Sequence, residues 1–171
     1  MHKIELLAKS HDREGFDCGS EPLNSFLKQT ARQHADRGIS RTFVLVEEDD
    51  SSGRKRILGF FSLNLCQLKA DTLPPEEAKR FPRRVPGVRL GRLAVAKEFQ
   101  RQGIGRTLLI GAMGKFMEIF STAGGIGLFV DAKDHEAKRY YEQFGFVCLA
   151  SNELELFLPV KSIQEALADL I

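Results

Sequence analysis

The chain has 171 residues, 43% of them hydrophobic and 28% charged, with a formal net charge of +2. That fits one globular domain, able to bury roughly two-thirds of its unfolded surface without disulfides or a structural metal. The composition excludes a disordered chain, a collagen-like repeat and a coiled coil. No apolar run approaches the roughly 20 residues of a membrane span and nothing near Met1 is signal-like, so the expectation is a cytoplasmic protein without membrane contact.

Residues 3–8 read as a short strand. Cys18-Gly19-Ser20-Glu21-Pro22 marks a helix start, with Ser20 or Glu21 at the cap and Pro22 where a missing N–H is harmless. Leu23, Phe26, Leu27 and Ala31 follow at helical spacing, which predicts one buried face through about residue 35. The β-branched and aromatic run 42–46 is a strand, 47–56 a polar hairpin turn around Ser51-Ser52-Gly53, and 57–68 a long returning strand. Pro74, Pro75, Pro82 and Pro86 make residues 70–86 an irregular loop with one short helix at 75–80.

A strand is predicted at 88–95 and a helix at 103–120, with Leu108, Leu109, Ala112, Phe116 and Ile119 inward. A buried strand at 126–130, a helix at 135–144, strands at 146–149 and 154–158 and a terminal helix at 163–170 complete the chain. An antiparallel meander followed by β-α-β-α-β argues for a single α/β domain over 1–171, with parallel pairing across the helix that begins at Gly103.

Cys18, Cys66 and Cys148 are odd in number and far apart, and His2, His11, His34 and His135 lack ligand spacing. Incidental thiols, loop histidines and no metal are the expectation. The charge is asymmetric. Lys79, Arg80, Arg83, Arg84, Arg89, Arg92, Lys97, Arg101 and Arg106 face a single acid, Glu98, across 79–106. That block carries +8 and leaves −6 for the rest, which points to a polyanionic ligand, a phosphorylated cofactor or both.

The block contains the strongest motif. Arg89-Leu-Gly-Arg-Leu-Ala-Val95 runs into Gln100-Arg-Gln-Gly-Ile-Gly-Arg106 and then a helix. A glycine-rich turn there presents several N–H groups to one point, and Gly103 and Gly105 let the main chain approach a phosphate. Position 108 is Leu108, not the third glycine of a dinucleotide fingerprint, and a Gly-Lys-Ser/Thr nucleotide loop is absent. A second stretch, Asp134 to Phe146, holds Tyr140 and Tyr141, the only tyrosines, ahead of a Gly145 helix stop.

Together these stretches resemble the GNAT acetyltransferase superfamily. Gln100 to Gly105 is similar to that family's Gln/Arg-x-x-Gly-x-Gly/Ala acetyl-CoA loop, and Ala137 to Phe146 to its Ala-x-x-Phe/Tyr-Tyr-x-x-x-Gly-Phe segment, in the expected order. The resemblance implies a mixed six- to seven-stranded sheet flanked by helices. It narrows further: Phe16-Asp17-Cys18-Gly19, Leu23 to Leu27, Arg41 to Val44, Leu90 to Val95 and Val130 to Asp134 resemble the GNAT toxins of bacterial toxin–antitoxin pairs. That resemblance implies acetylation of the α-amine of aminoacyl-tRNA and inhibition by an antitoxin with a ribbon-helix-helix part. A second copy of the chain is a further candidate partner.

By resemblance, Leu93, Ala94 and Val95 would bind the pantetheine arm of acetyl-CoA, and Arg101, Gln102, Gly103, Ile104, Gly105 and Arg106 its pyrophosphate, with Asp134 also in the cofactor set. Tyr141 matches the catalytic tyrosine that protonates the departing thiolate. Arg80, Arg83, Arg84, Arg89 and Arg92 are the candidate tRNA contacts, since a tRNA substrate needs basic surface. An α-amine, with a pKa of about 7.7–8.0, needs no strong base, whereas a lysine side chain at about 10.4 would; Glu98 and Glu142 are available carboxylates that the sequence does not place. Two other readings stand beside this one: a GNAT enzyme for small or protein amines, and a non-catalytic acyl-CoA-binding module.

Overall fold

A computed structural model describes residues 1–170. After β1 (His2–Leu6) and the two-residue β2 (His11–Asp12), a continuous helical run begins just after Ser20, whose side chain makes no capping hydrogen bond. The run comprises α1 (Glu21–Ser25), a wide π turn at Phe26–Thr30, and α2 (Ala31–Asp36). Strands β3 (Arg41–Glu47), β4 (Lys55–Arg56) and β5 (Gly59–Lys69) follow. Then come α3 (Pro75–Ala78), β6 (Arg84–Val95), α4 (Ile104–Ala123), β7 (Gly127–Asp131), α5 (His135–Glu142), β8 (Val147–Cys148), β9 (Glu155–Pro159) and α6 (Val160–Ala168). The seven-stranded sheet has the order β1-β3-β5-β6-β7-β9-β8 and is mixed, as the alternation of elements predicts. β6 and β7 are parallel neighbours joined through α4.

The chain forms two compact units, the first built from Met1–Asn64 and Gly91–Ala112. In it β1 and β3 pair antiparallel, as do β3 and β5, and Val44, Phe60 and Ala94 bury one face against Phe16, Phe26, Leu27 and Ala31. Phe16 meets Phe60 edge-on at 5.5 Å. Each such large side chain contributes about 1.5–3 kcal/mol on burial. On α4, Gly111 lies so close to Ile4 that a Cβ there would collide with it, so a bare backbone lets helix and strand approach.

The second unit takes Leu65–Leu90 and the chain from Met113 onward. Its core joins Ala70, Leu73, Val85, Phe129, Leu149 and Phe157, with Phe129 and Phe157 stacked at 4.8 Å. β9 pairs antiparallel with both β7 and β8.

Three elements differ from the sequence expectation. β6 starts at Arg84 and includes Pro86, because the ladder to β7 runs only from Val88 to Leu90. Pro86 needs only its carbonyl, which accepts from the Ile126 N–H at 2.9 Å. The predicted hairpin turn at 47–56 contains β4, which pairs in parallel with β2. The strand expected at 146–149 shortens to the two residues of β8. Along α4, Leu108, Leu109, Ala112 and Phe116 are buried, while Ile119 is only partly so. Among the described residues no helix is long and apolar enough to cross a membrane.

Candidate active site

The loop between β6 and α4 is bent so that its backbone opens to one side. Arg101 has φ +62° and Gly103 φ +83°, two left-handed residues within three positions. Such a turn gathers successive N–H groups into an anion-sized concavity. Left-handed geometry costs a residue with a side chain about 1–2 kcal/mol, so glycine suits position 103. A Cβ added there would meet nothing within 4 Å. The space above this backbone is open, and the first turn of α4 adds unpaired N–H groups and the positive end of the helix dipole. Ile104 is buried as the helix anchor, whereas Arg101, Gln102 and Arg106 are exposed.

Side-chain amides brace this loop. Gln100 Nε2 donates to the carbonyls of Cys18 (3.0 Å) and Val95 (2.9 Å), and Gln102 Nε2 donates to the Glu98 carbonyl (3.1 Å). The Cys18 segment is held in turn by buried Asn24, whose Oδ1 accepts from the Cys18 N–H and whose Nδ2 donates to Asp17, each at 2.9 Å. The hydrogen bond from Asn24, and then that from the Gly19 N–H, keeps the Asp17 carboxyl below the usual carboxylate range. The Asp17 carbonyl accepts from the Lys97 N–H at 2.9 Å, which ties the network to the approach to the loop.

Leu93, Ala94 and Val95 end β6, with Ala94 buried and its neighbours partly so. Before them, the Arg92 guanidinium lies 3.7 Å from the Phe26 ring centroid, and burial lowers its pKa.

In the second unit Asp134 caps α5, its Oδ1 accepting from the Ala137 N–H at 2.8 Å. Tyr140 and Tyr141 lie on the last turn of that helix. The Tyr141 ring meets Phe146 edge-on at 5.4 Å and Tyr140 at 5.6 Å. Desolvation, with Tyr140 adding to it, pushes the Tyr141 hydroxyl up to about 12. It therefore carries its proton at any physiological pH, the state a proton donor requires. Arg80, Arg83 and Arg84 are exposed in the same unit. Arg89 instead forms an ion pair with Asp131 at 2.9 Å.

The sequence matches the acetyltransferase (GNAT) domain over residues 39–148. The chain belongs to the GNAT acetyltransferases. It is similar to the tRNA-acetylating toxin of Mycobacterium tuberculosis, with 27% identity over 163 residues and 95% of each chain covered. It is also similar to AtaT complexed with acetyl-methionyl-tRNAfMet, at a TM-score of 0.88 and 32% identity, covering 98% of this chain and 99% of that one. A mutant AtaT bound to the C-terminus of the antitoxin AtaR and acetyl-CoA gives a TM-score of 0.81 and 31% identity, with 97% and 98% covered.

Most of the residues expected at the GNAT cofactor site gather on the end of β6, the following loop and the first turn of α4. Asp134 lies in the second unit, where its carboxylate caps α5. Glu98, one of the two candidate carboxylates, pairs with Arg56 on the surface, and Glu142 is exposed. The sequence reading missed the bracing by Gln100, Asn24 and Asp17. Gln100 was visible as the first position of the loop motif, but nothing in a linear pattern shows that its amide reaches back to Cys18.

Proposed function

We propose that this chain moves acetyl from acetyl-CoA to the α-amine of aminoacyl-tRNA and so acts as a toxin that blocks translation. The observation that carries the reading is the likeness to AtaT in complex with acetyl-methionyl-tRNAfMet, which extends over nearly the whole chain. The open, left-handed backbone at Gly103 fits a pyrophosphate, with Arg101 and Arg106 as charges beside it and the end of β6 as the edge for the pantetheine arm. The amine attacks the thioester carbonyl; the C–N bond forms, the C–S bond breaks, and the departing thiolate takes its proton from Tyr141. The proton shed by the amine goes to water, and the tyrosinate is reprotonated from solvent. An α-amine with a pKa of about 7.7–8.0 is partly neutral at pH 7, so no dedicated strong base is required.

Arg80, Arg83 and Arg84 supply an exposed cationic stretch for the acceptor stem. The likeness to AtaT bound to AtaR supports an antitoxin as partner, and we assign it a ribbon-helix-helix part. We take residues 1–171 as one GNAT domain, since β6 and α4 each run unbroken from one unit into the other, and place it in the cytoplasm with its substrate. Incubation of bulk aminoacyl-tRNA with labelled acetyl-CoA tests the reading. Label should appear on the α-amine of the aminoacyl end. Label confined to free amines or protein lysines would replace the tRNA assignment with that of a small- or protein-amine acetyltransferase.

A further inference from the structure

Two buried hydroxyls in the first unit have no structural task. Thr42 on β3 and Ser62 on β5 are direct partners across the antiparallel ladder, 2% and 1% exposed. Neither Thr42 Oγ1 nor Ser62 Oγ has a hydrogen-bond partner. A buried hydroxyl left unpaired costs about 1–3 kcal/mol, so this pair works against stability. The next pair on the same face, Val44 with Phe60, is apolar and packs into the core, so the fold itself makes no demand for oxygen here.

Ser62 looks into a small niche. A Cβ on Gly91 of β6 would lie 3.3 Å from Asn64 Oδ1 and 3.4 Å from Ser62 Oγ. Two side-chain oxygens therefore converge over the bare Gly91 Cα, and Gly91 itself is exposed. Gly91 has no left-handed φ, so its backbone has no need of glycine. The niche also lies on the strand proposed to carry the cofactor arm, about 7 Å before Leu93 at roughly 3.3 Å per residue. That is the side away from the phosphate loop, where a thioester would end. Arg92, fixed over Phe26, adds a positive charge on the adjoining residue, which favours a neutral amine over an ammonium ion.

We propose that Ser62, backed by Thr42 and beside Asn64, receives the acceptor's α-amine in the niche over Gly91. The amine donates an N–H to Ser62 Oγ and keeps its lone pair for the thioester carbonyl. The assignment rests on the acetyl-transfer reading and names the acceptor position within it. Ser62→Ala removes the oxygen, and Ser62→Cys keeps the shape with a much weaker acceptor. Gly91→Ala fills the niche and leaves the hydroxyl in place, its Cβ in van der Waals contact with Ser62 Oγ.

Each variant should raise the KM for the acceptor roughly tenfold, about one hydrogen bond's worth, while acetyl-CoA affinity stays at the wild-type value. The melting temperature of Ser62→Ala should hold or rise, since an unpaired buried hydroxyl has been removed. An unchanged acceptor KM in both Ser62 variants, or an equal loss of acetyl-CoA affinity, would overturn the proposal. Amino-acid ethyl esters, which present the same α-amine without RNA, serve as a second acceptor. A wild-type enzyme that acetylates esters but not aminoacyl-tRNA would refute the tRNA reading alone. Aminoacyl-tRNA turnover with an acceptor KM indifferent to Ser62 would refute the niche alone.

Discussion

Replacing Gly103 with alanine separates the cofactor role of the loop from its role in the fold. The residue has φ +83°, and an added Cβ would meet no atom within 4 Å, so the folded protein feels only backbone strain. That strain is about 1–2 kcal/mol, which for a domain of this size lowers Tm by roughly 2–8 °C. The same Cβ would stand in the open space that a phosphate has to enter. Acetyl-CoA at a hundred times its dissociation constant stabilises the wild type by about 2.7 kcal/mol. If the alanine weakens binding a hundredfold, that gain falls to roughly 0.4 kcal/mol at the same concentration. Thermal unfolding with and without acetyl-CoA reads both quantities. A full ligand-induced shift in the variant would refute the phosphate assignment, and collapse of the unliganded protein would show that position 103 is a packing site.

Tyr141→Phe should lower kcat by roughly 10²–10⁴ with little change in acetyl-CoA affinity, whereas Tyr140→Phe should do much less; steady-state kinetics of both variants decides it. Because the Tyr141 hydroxyl is pushed up to about 12, its protonated form persists through pH 10, and any loss of rate below that pH should be unaltered in Tyr141→Phe. Arg83→Glu with Arg84→Glu should raise the KM for aminoacyl-tRNA and leave acetyl-CoA affinity intact; an unchanged KM would mean that the pair is only a solvated basic face. Hydrogen bonds from His11 and Lys55 lower the Glu5 carboxyl from 4.5 to about 2, so the stabilisation they bring is present above pH 4.5 and lost as pH falls toward 2. Thermal melts across that window should decline less steeply in Glu5→Gln than in the wild type.

Where the fold was legible, a periodic signal agreed with the local chemistry. The spacing of Leu108, Leu109, Ala112 and Phe116 places their burial on α4, and the Ser20–Pro22 start fixes the beginning of α1. The π turn at Phe26–Thr30 has no such signal, because one extra residue in a turn leaves the apolar spacing almost intact. Pro86 misled for a related reason. Proline argues against a strand only where the ladder needs its N–H, and that depends on where β7 pairs. The site divides in the same way. Gly103 and the loop motif are local and can be read directly, whereas the Gln100–Cys18 bond spans 82 residues and the Thr42–Ser62 pair joins two strands. Neither long-range feature has a linear signature.

The basic block shows what a charge count conceals. Nine cations in 28 residues suggest a broad polyanion surface, but the structure divides them by what each already touches. Arg89 is bound to Asp131, Arg92 is stacked on Phe26, and Lys97 and Lys79 face Asp17 and Glu76. Releasing Arg89 or Arg92 to a phosphate would cost contacts made within the fold, so neither is a ready counterion donor. Arg101 and Arg106 lie on either side of Gly103 in the loop proposed to hold the cofactor. Arg80, Arg83 and Arg84 are the exposed arginines before it, and they are the ones proposed to meet RNA. Three phosphate contacts give a log–log salt slope of roughly 2–3 in magnitude, far below what nine would give. Such a slope fits an enzyme that must release each modified tRNA. A measured slope of about 4 would instead mean that Arg89 and Arg92 leave their partners when RNA binds.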